Sequence, residues 1–145
     1  MSNKLKIIQF RKLSGPNYWS LRPCIQMLLD IGELEELPTN KIDGFYDRLT
    51  EALPSIHDHR CSIGKAGGFF QRVEEGTWMG HVVEHVALEL QTLAGMDTGF
   101  GRTRETGDKA IYHVVFSYIV SEVGKRAGEL SVDLCEKLIR GDKYD

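Results

Sequence analysis

The chain has 145 residues, of which 41% are hydrophobic, and 18 basic and 21 acidic residues give it a formal net charge of −3. This length supports one hydrophobic core, and no shift in composition divides the chain, so we expect a single domain over 1–145. The balanced charge argues against a nucleic-acid surface. Because no apolar stretch approaches the roughly 18 residues of a membrane span and the N-terminus lacks a signal-peptide core, we expect a cytoplasmic protein without a membrane partner.

The chain begins with two predicted strands. Residues 5–13 hold apolar side chains in mostly alternating positions over the length of a strand, and Gly15 and Pro16 then break the alternation. The apolar run 23–31 suits either a buried strand or a short helix. We favour a strand that pairs antiparallel with the first.

Two short helices follow the strands. Asn40 or Asp43 can cap the first helix, and Pro54 ends it. The second helix is predicted at 69–75. Between them lies 55–68, the most loop-like segment of the chain, because it is rich in glycine and polar residues.

The central helix is predicted over 77–94, where Thr77 can cap the start and Gly95 ends the helix. At 100° per residue, its apolar side chains fall on one broad arc. The opposite stripe of the helix is polar and comprises His81, Glu84, His85, Glu89 and Gln91.

The spacing His81-x-x-Glu84-His85 on this helix predicts a zinc site. Two histidines one turn apart can each present a nitrogen to one Zn²⁺, and the neighbouring carboxylate can act as the catalytic base. The order of the three residues is that of the inverted zincin signature. A short pattern also recurs by chance, and a polar stripe is often a solvated face, but the almost wholly apolar flanks favour a site.

The last third of the chain predicts a loop, a strand and a long helix. The glycine-rich loop 95–108 presents Arg102 and Arg104, which suit a carboxylate-rich ligand, although an ordinary solvated turn explains them equally well. A β-branched and aromatic strand at 110–118 and an amphipathic helix at 122–140 complete the chain. These elements predict an α+β fold with helices packed on one face of a small, mainly antiparallel sheet.

Three blocks of sequence, taken in order, carry a specific resemblance: GPNYWSLR at 15–22, GHVVEHVALELQ at 80–91 and GFGRTRET at 99–106. Together they resemble the N-terminal domain of the cyanophycin synthetases, and the likeness covers nearly the whole chain. The resemblance implies an ATP-dependent parent enzyme that builds cyanophycin, a polymer with an aspartate backbone and arginine on each side-chain carboxyl. Its ATP-grasp and Mur-ligase-like domains carry the ligation, and we expect neither within these 145 residues.

The resemblance also implies what this domain does. It would hold the polymer and, in the cleaving members of the family, hydrolyse it at a metallopeptidase-like site to produce primers. The alternatives are a non-catalytic binding and scaffolding module of the synthetase, and a zinc peptidase of another substrate range.

The third metal ligand requires a residue outside the His-Glu-His motif. Glu89 lies about 12 Å along the helix from His81, too far to share one ion with it, and is better placed to orient His85. Inverted zincins take a glutamate from a later helix, so the resemblance implies Glu122, with Glu129 in reserve.

Substrate binding is expected from residues around the glycine-rich loop. Arg102 and Arg104 would hold polymer carboxylates, while Glu105 could meet the polymer's arginine side chains. Tyr18 and Trp19 would offer an aromatic wall to guanidinium groups, and the alternative for both is burial in the core.

Overall fold

The computed structural model describes residues 5–58, 67–96 and 100–142. Within these ranges, four strands form one antiparallel sheet in the order β1-β2-β4-β3, with β1 at Lys6–Leu13, β2 at Cys24–Asp30, β3 at Gly101–Glu105 and β4 at Ile111–Ser117. The helices are α1 (Phe45–Ala52), α2 (Gly68–Glu75), α3 (Met79–Leu93) and α4 (Ser121–Arg140). Short 3-10 helices lie at Gly32–Glu36, Thr39–Lys41 and Pro54–Asp58. The predicted α+β class and the predicted antiparallel pairing of the first two strands are confirmed.

Helices α3 and α4 cover the same face of the sheet. Alternate side chains of β4 turn toward them, and Tyr112, Val114 and Phe116 are buried there. A Cβ on Gly128 of α4 would come within 3.0 Å to 3.1 Å of side-chain atoms of Phe10, Met27 and Phe116. Because this position has no side chain, α4 lies directly on the sheet.

The structure corrects the prediction of a loop over 95–108, because this segment contains β3. The sequence GRTRE has no apolar residue and begins with glycine, so its intrinsic strand propensity is low. Its pairing with β4, from Gly101 opposite Phe116 to Glu105 opposite Tyr112, is a tertiary contact that local propensity does not report. Residues 97–99 lie outside the described part of the chain.

The predicted helix caps are wrong. Gly44, with φ of 73°, precedes α1, and no side chain caps that helix, so neither Asn40 nor Asp43 has this role. Helix α3 begins at Met79 without a side-chain cap, and Thr77 instead contacts His81. Gly95 and Gly141 adopt positive φ just after α3 and α4, as expected of residues that end helices.

The loop predicted at 55–68 overlaps the 3-10 helix Pro54–Asp58 and the start of α2, and residues 59–66 lie outside the described residues. Within the described ranges, no helix is both long and apolar enough to cross a membrane.

Candidate functional site

The polar stripe of α3 lies inside the protein. Glu84, His85, Glu89 and Gln91 are all buried, and His81 is partly buried. Strand β3 lies along one side of the stripe, and α2 approaches from another. The stripe is therefore not a solvated face, and its polar side chains need a structural or functional reason to be in the interior.

Phe69 of α2 holds the two histidine rings in place. The ring of His85 stacks on Phe69, with centroids 4.0 Å apart and planes inclined by 17°. The ring of His81 meets Phe69 edge to face at 5.3 Å, and the two histidine ring centroids are 4.8 Å apart. Helix α3 thus presents both imidazoles side by side against one aromatic wall.

His81 is in the state that metal binding requires. Burial, with a smaller contribution from the charge of Arg72, lowers its pKa to about 4, so the ring is neutral at pH 7. Thr77 Oγ1 lies 3.2 Å from His81 Nδ1. This contact orients the ring and would make Nε2 the ligand nitrogen.

Glu84 lies between His85 and strand β3. Its Oε2 is 3.7 Å from His85 Nε2, and its Oε1 accepts a hydrogen bond of 2.7 Å from the Thr103 hydroxyl. Gly101, two residues earlier on β3, faces the same carboxyl, and a Cβ there would lie 2.5 Å from Oε2. The carboxyl therefore fills a space that exists because residue 101 is glycine.

Burial raises the pKa of Glu84 to about 7. The Thr103 hydrogen bond and the charges of Arg102 and Arg104 oppose this rise but do not cancel it. A carboxyl poised near neutrality can both accept and release a proton at physiological pH, which is the property of a general base.

Glu89 is the residue predicted to orient His85. It is buried one turn beyond His85 and accepts a hydrogen bond from Ser55 Oγ. Its role in orienting His85 stays a prediction.

Glu122 and Glu129 are not brought to the histidines. Gly124, two residues after Glu122, packs against Gln91, which is about 15 Å of helix beyond His81 and about 9 Å beyond His85. Glu122 is exposed in the first turn of α4, and Glu129 is exposed beside Arg126, with 3.8 Å between their charged groups. Among the described residues, no group of three or more His, Cys, Asp or Glu side chains is arranged to hold a metal ion.

A second cluster lies on the opposite face of the sheet. Successive strand residues point to opposite faces, so Arg102 and Arg104 turn away from α3 whereas Thr103 turns toward it. A pocket of about 610 Å³ opens on this face and is lined by Tyr18, Trp19, Arg102, Arg104, Glu105 and His113. The structure therefore brings all five residues predicted to bind substrate to one pocket, but separates that pocket from the His-Glu-His motif by the sheet.

The aromatic wall of the pocket comes from the β1–β2 connection. Asn17 braces this connection, because its side-chain oxygen accepts hydrogen bonds from the backbone N–H groups of Trp19 and Ser20 at 2.9 Å and 3.1 Å. Trp19 is partly buried against the ring of His113, whereas Tyr18 is 91% exposed. Burial of Tyr18 in the core is therefore excluded.

His113 is a pocket residue that the sequence interpretation missed. Its Nδ1 lies 3.0 Å from Gln26 Nε2, which would donate to it in the neutral ring. The alternation of the strand could have predicted this position, because His113 falls between the core residues Tyr112 and Val114 and so must face the other side of the sheet.

Fold and site together define a small α+β domain with a helix that carries buried or partly buried His, Glu and His side chains against one face of its sheet and an arginine-lined pocket on the other face. A family model described as the cyanophycin synthase-like N-terminal domain matches residues 26–140, and the chain belongs to this family.

Its relatives include proteins named cyanophycin synthetase. Those from Geminocystis herdmanii, Trichormus variabilis and Crocosphaera subtropica are 53%, 54% and 52% identical to it over 142 residues, which is 97% of this chain. The chain spans 16% of the length of each of these relatives. The resemblance seen in the sequence is confirmed.

The pKa of Glu84 predicts how stability depends on pH in metal-free protein. The folded state keeps the Glu84 proton up to pH about 7, whereas the unfolded state loses it near the ordinary value of 4.5. Stability from this group is therefore full below pH 4.5 and declines as the pH rises toward 7. Glu84→Gln removes this titration. As the pH rises from about 4 to about 8, the free energy of unfolding of the variant should therefore increase by about 3 kcal/mol relative to that of the parent.

Urea unfolding of chelator-treated protein across this pH range measures the effect. The exposed Glu51→Gln on α1 is the matched control and should follow the parent at every pH. Parallel pH dependences for Glu84→Gln and the parent would show that Glu84 ionises normally.

Proposed function

We propose that this domain binds cyanophycin and hydrolyses it with the help of Zn²⁺, shortening the polymer at the His81-Glu84-His85 motif. The observation that carries the proposal is the joint enclosure of these three side chains between β3 and Phe69, with Glu84 Oε2 3.7 Å from His85 Nε2. Purely structural packing does not need two neighbouring histidines beside an ionisable carboxyl, because apolar residues fill such a space at lower cost.

His81 and His85 are the residues that would hold the metal. Their rings are adjacent and belong to consecutive turns of one helix, and the pKa of His81 keeps its ring neutral. When bound, Zn²⁺ would lower the pKa of water and polarise the scissile carbonyl. The proposal assigns no third ligand, because neither Glu122 nor Glu129 lies near the pair.

Glu84 would move the proton. Thr103 occupies Oε1, so the proton would be taken at Oε2 and then passed to the leaving amine. In the metal-free protein, a pKa of about 7 lets the Glu84 carboxyl both hold and release a proton near neutral pH.

The pocket on the face of the sheet opposite α3 would anchor the polymer. Arg102 and Arg104 can each grip a carboxylate, and Glu105 can meet a guanidinium at the rim. The sheet separates this pocket from Glu84, so one ligand reaches both only if it passes around the edge strand β3. An extended chain covers about 3.3 Å per residue, so a polymer can do this whereas a dipeptide cannot.

This domain spans only 16% of the length of its relatives, which leaves room in them for further domains. We propose that the shortened chains serve as primers for the ATP-grasp and Mur-ligase-like domains that the family resemblance implies. A non-catalytic module that only binds the polymer is the second candidate, because the pocket opposite α3 is lined by none of the three motif residues.

Glu84→Gln separates the two candidates. The amide keeps the size of the carboxyl but cannot take a proton, so cleavage of cyanophycin should fall by roughly 10²-fold to 10⁴-fold while zinc and polymer binding persist. New chain ends counted by mass spectrometry measure the rate, and Glu51→Gln should cleave like the parent. Equal cleavage rates in Glu84→Gln and the parent would contradict a catalytic role for Glu84. No cleavage by either protein would contradict hydrolytic activity and would leave the non-catalytic binding module as the function.

Arg102→Ala and Arg104→Ala test the pocket. Each substitution removes a charged hydrogen bond to a polymer carboxylate, which should weaken binding by about 1.5 to 3 kcal/mol, or roughly 10-fold or more, if that carboxylate is desolvated. Retention on immobilised cyanophycin measures the effect. Arg126→Ala, an exposed arginine on α4, which covers the opposite face of the sheet, is the control and should be retained like the parent. Full retention of the Arg102→Ala, Arg104→Ala double variant would contradict the proposed anchor.

A further inference from the structure

Thr103 is the point at which strand β3 touches the proposed base. Its Oγ1 is 2.7 Å from Glu84 Oε1 and 3.4 Å from the backbone oxygen of Gly80. A hydroxyl has one proton to donate, and the shorter contact to the more basic acceptor takes it when Glu84 is ionised. Thr103 therefore ties one oxygen of the carboxylate to the sheet.

The orientation of Thr103 is itself fixed by packing. Its methyl group lies 3.3 Å from the position that a Cβ on Gly80 would occupy, so the methyl rests on the first turn of α3. A β-branched side chain has few χ1 rotamers, and seating the methyl against Gly80 directs the hydroxyl toward Glu84. Even an alanine at position 80 would require the Thr103 methyl group to move by a few tenths of an ångström.

Gly101 closes the other side of the carboxyl. With Oε1 held by Thr103, a Cβ at position 101 would lie 2.5 Å from Oε2 and displace it. Two alternate residues of one strand, a threonine and a glycine, thus set where both oxygens of Glu84 lie.

We propose that Thr103 is a positioning residue for the hydrolytic reaction: its hydroxyl holds Oε1 so that Oε2 is the oxygen presented for proton transfer. This inference rests on the proposed function of Glu84. Without the hydroxyl, the carboxylate can rotate about its terminal torsion, which is soft, and the fraction of time in the productive orientation falls. The effect belongs to the chemical step, so kcat falls and KM does not change.

The first experiment compares Thr103→Val and Thr103→Ser in the zinc-loaded protein. Valine keeps the shape of threonine and suits a strand, but has no hydroxyl. It should lower kcat about 10-fold to 100-fold with KM unchanged, and Thr103→Ser should recover part of the rate, because serine keeps the donor but lacks the methyl group that orients it. Co²⁺ substituted for zinc should give the same absorption spectrum in all three proteins, because the Thr103 hydroxyl contacts Glu84 and the Gly80 carbonyl and not the histidines.

A kcat of Thr103→Val equal to that of the parent would overturn the proposal. So would a fall in kcat accompanied by an altered Co²⁺ spectrum, because the valine would then act through the metal site rather than through Glu84. Failure of Thr103→Ser to recover activity would likewise show that the hydroxyl is not the active feature.

The second experiment needs no activity. In metal-free protein, Thr103→Val should lower the urea midpoint more in the parent than in Glu84→Ala, since the hydroxyl has no carboxylate partner in the latter. Equal shifts in the two backgrounds would mean that Thr103 and Glu84 are not coupled, and would overturn the inference. If the parent does not cleave cyanophycin, the hydrolytic function fails and with it the catalytic part of this proposal, while the unfolding cycle still decides whether Thr103 holds Glu84.

Discussion

The close packing of β3 on α3 is the constraint on which the rest of the site depends. Gly80 and Gly101 let the strand approach the helix closely enough for the Thr103 hydroxyl to donate a hydrogen bond to Glu84. That approach encloses the carboxyl and, by removing water, brings its pKa to about 7. An exposed glutamate on the same helix would titrate near its ordinary value and could not serve as a neutral-pH base equally well.

Strand alternation divides the chemistry between two faces of one short strand. Gly101 and Thr103 turn toward the histidine helix, whereas Arg102 and Arg104 turn toward the pocket that holds Trp19. One five-residue edge strand therefore serves both proposed sites. The arrangement suits a polymeric substrate, because binding strength can come from segments of the chain that lie away from the bond being cleaved.

The sequence predicted most elements, since apolar periodicity marks β1, β4, α3 and α4, and glycine marks the ends of both long helices. The five residues predicted to bind substrate line one pocket, whereas the metal-binding role of the His-Glu-His motif stays a prediction. The sequence did not predict that β3 would cover the motif, because GRTRE has no apolar alternation and becomes a strand through pairing. The sequence also did not predict the position of Glu122, since helical phase does not determine which turn of α3 packs against the first turn of α4.

The proposed metal site at His81 and His85 can be tested by measuring the metal content of the purified protein. The protein should be purified without chelators and without a nickel affinity step, then analysed by plasma mass spectrometry beside the His81→Ala, His85→Ala double variant. We expect about one zinc per folded chain in the parent and almost none in the variant. No zinc in the parent even after equilibration with zinc, or equal zinc in both proteins, would contradict the proposed site.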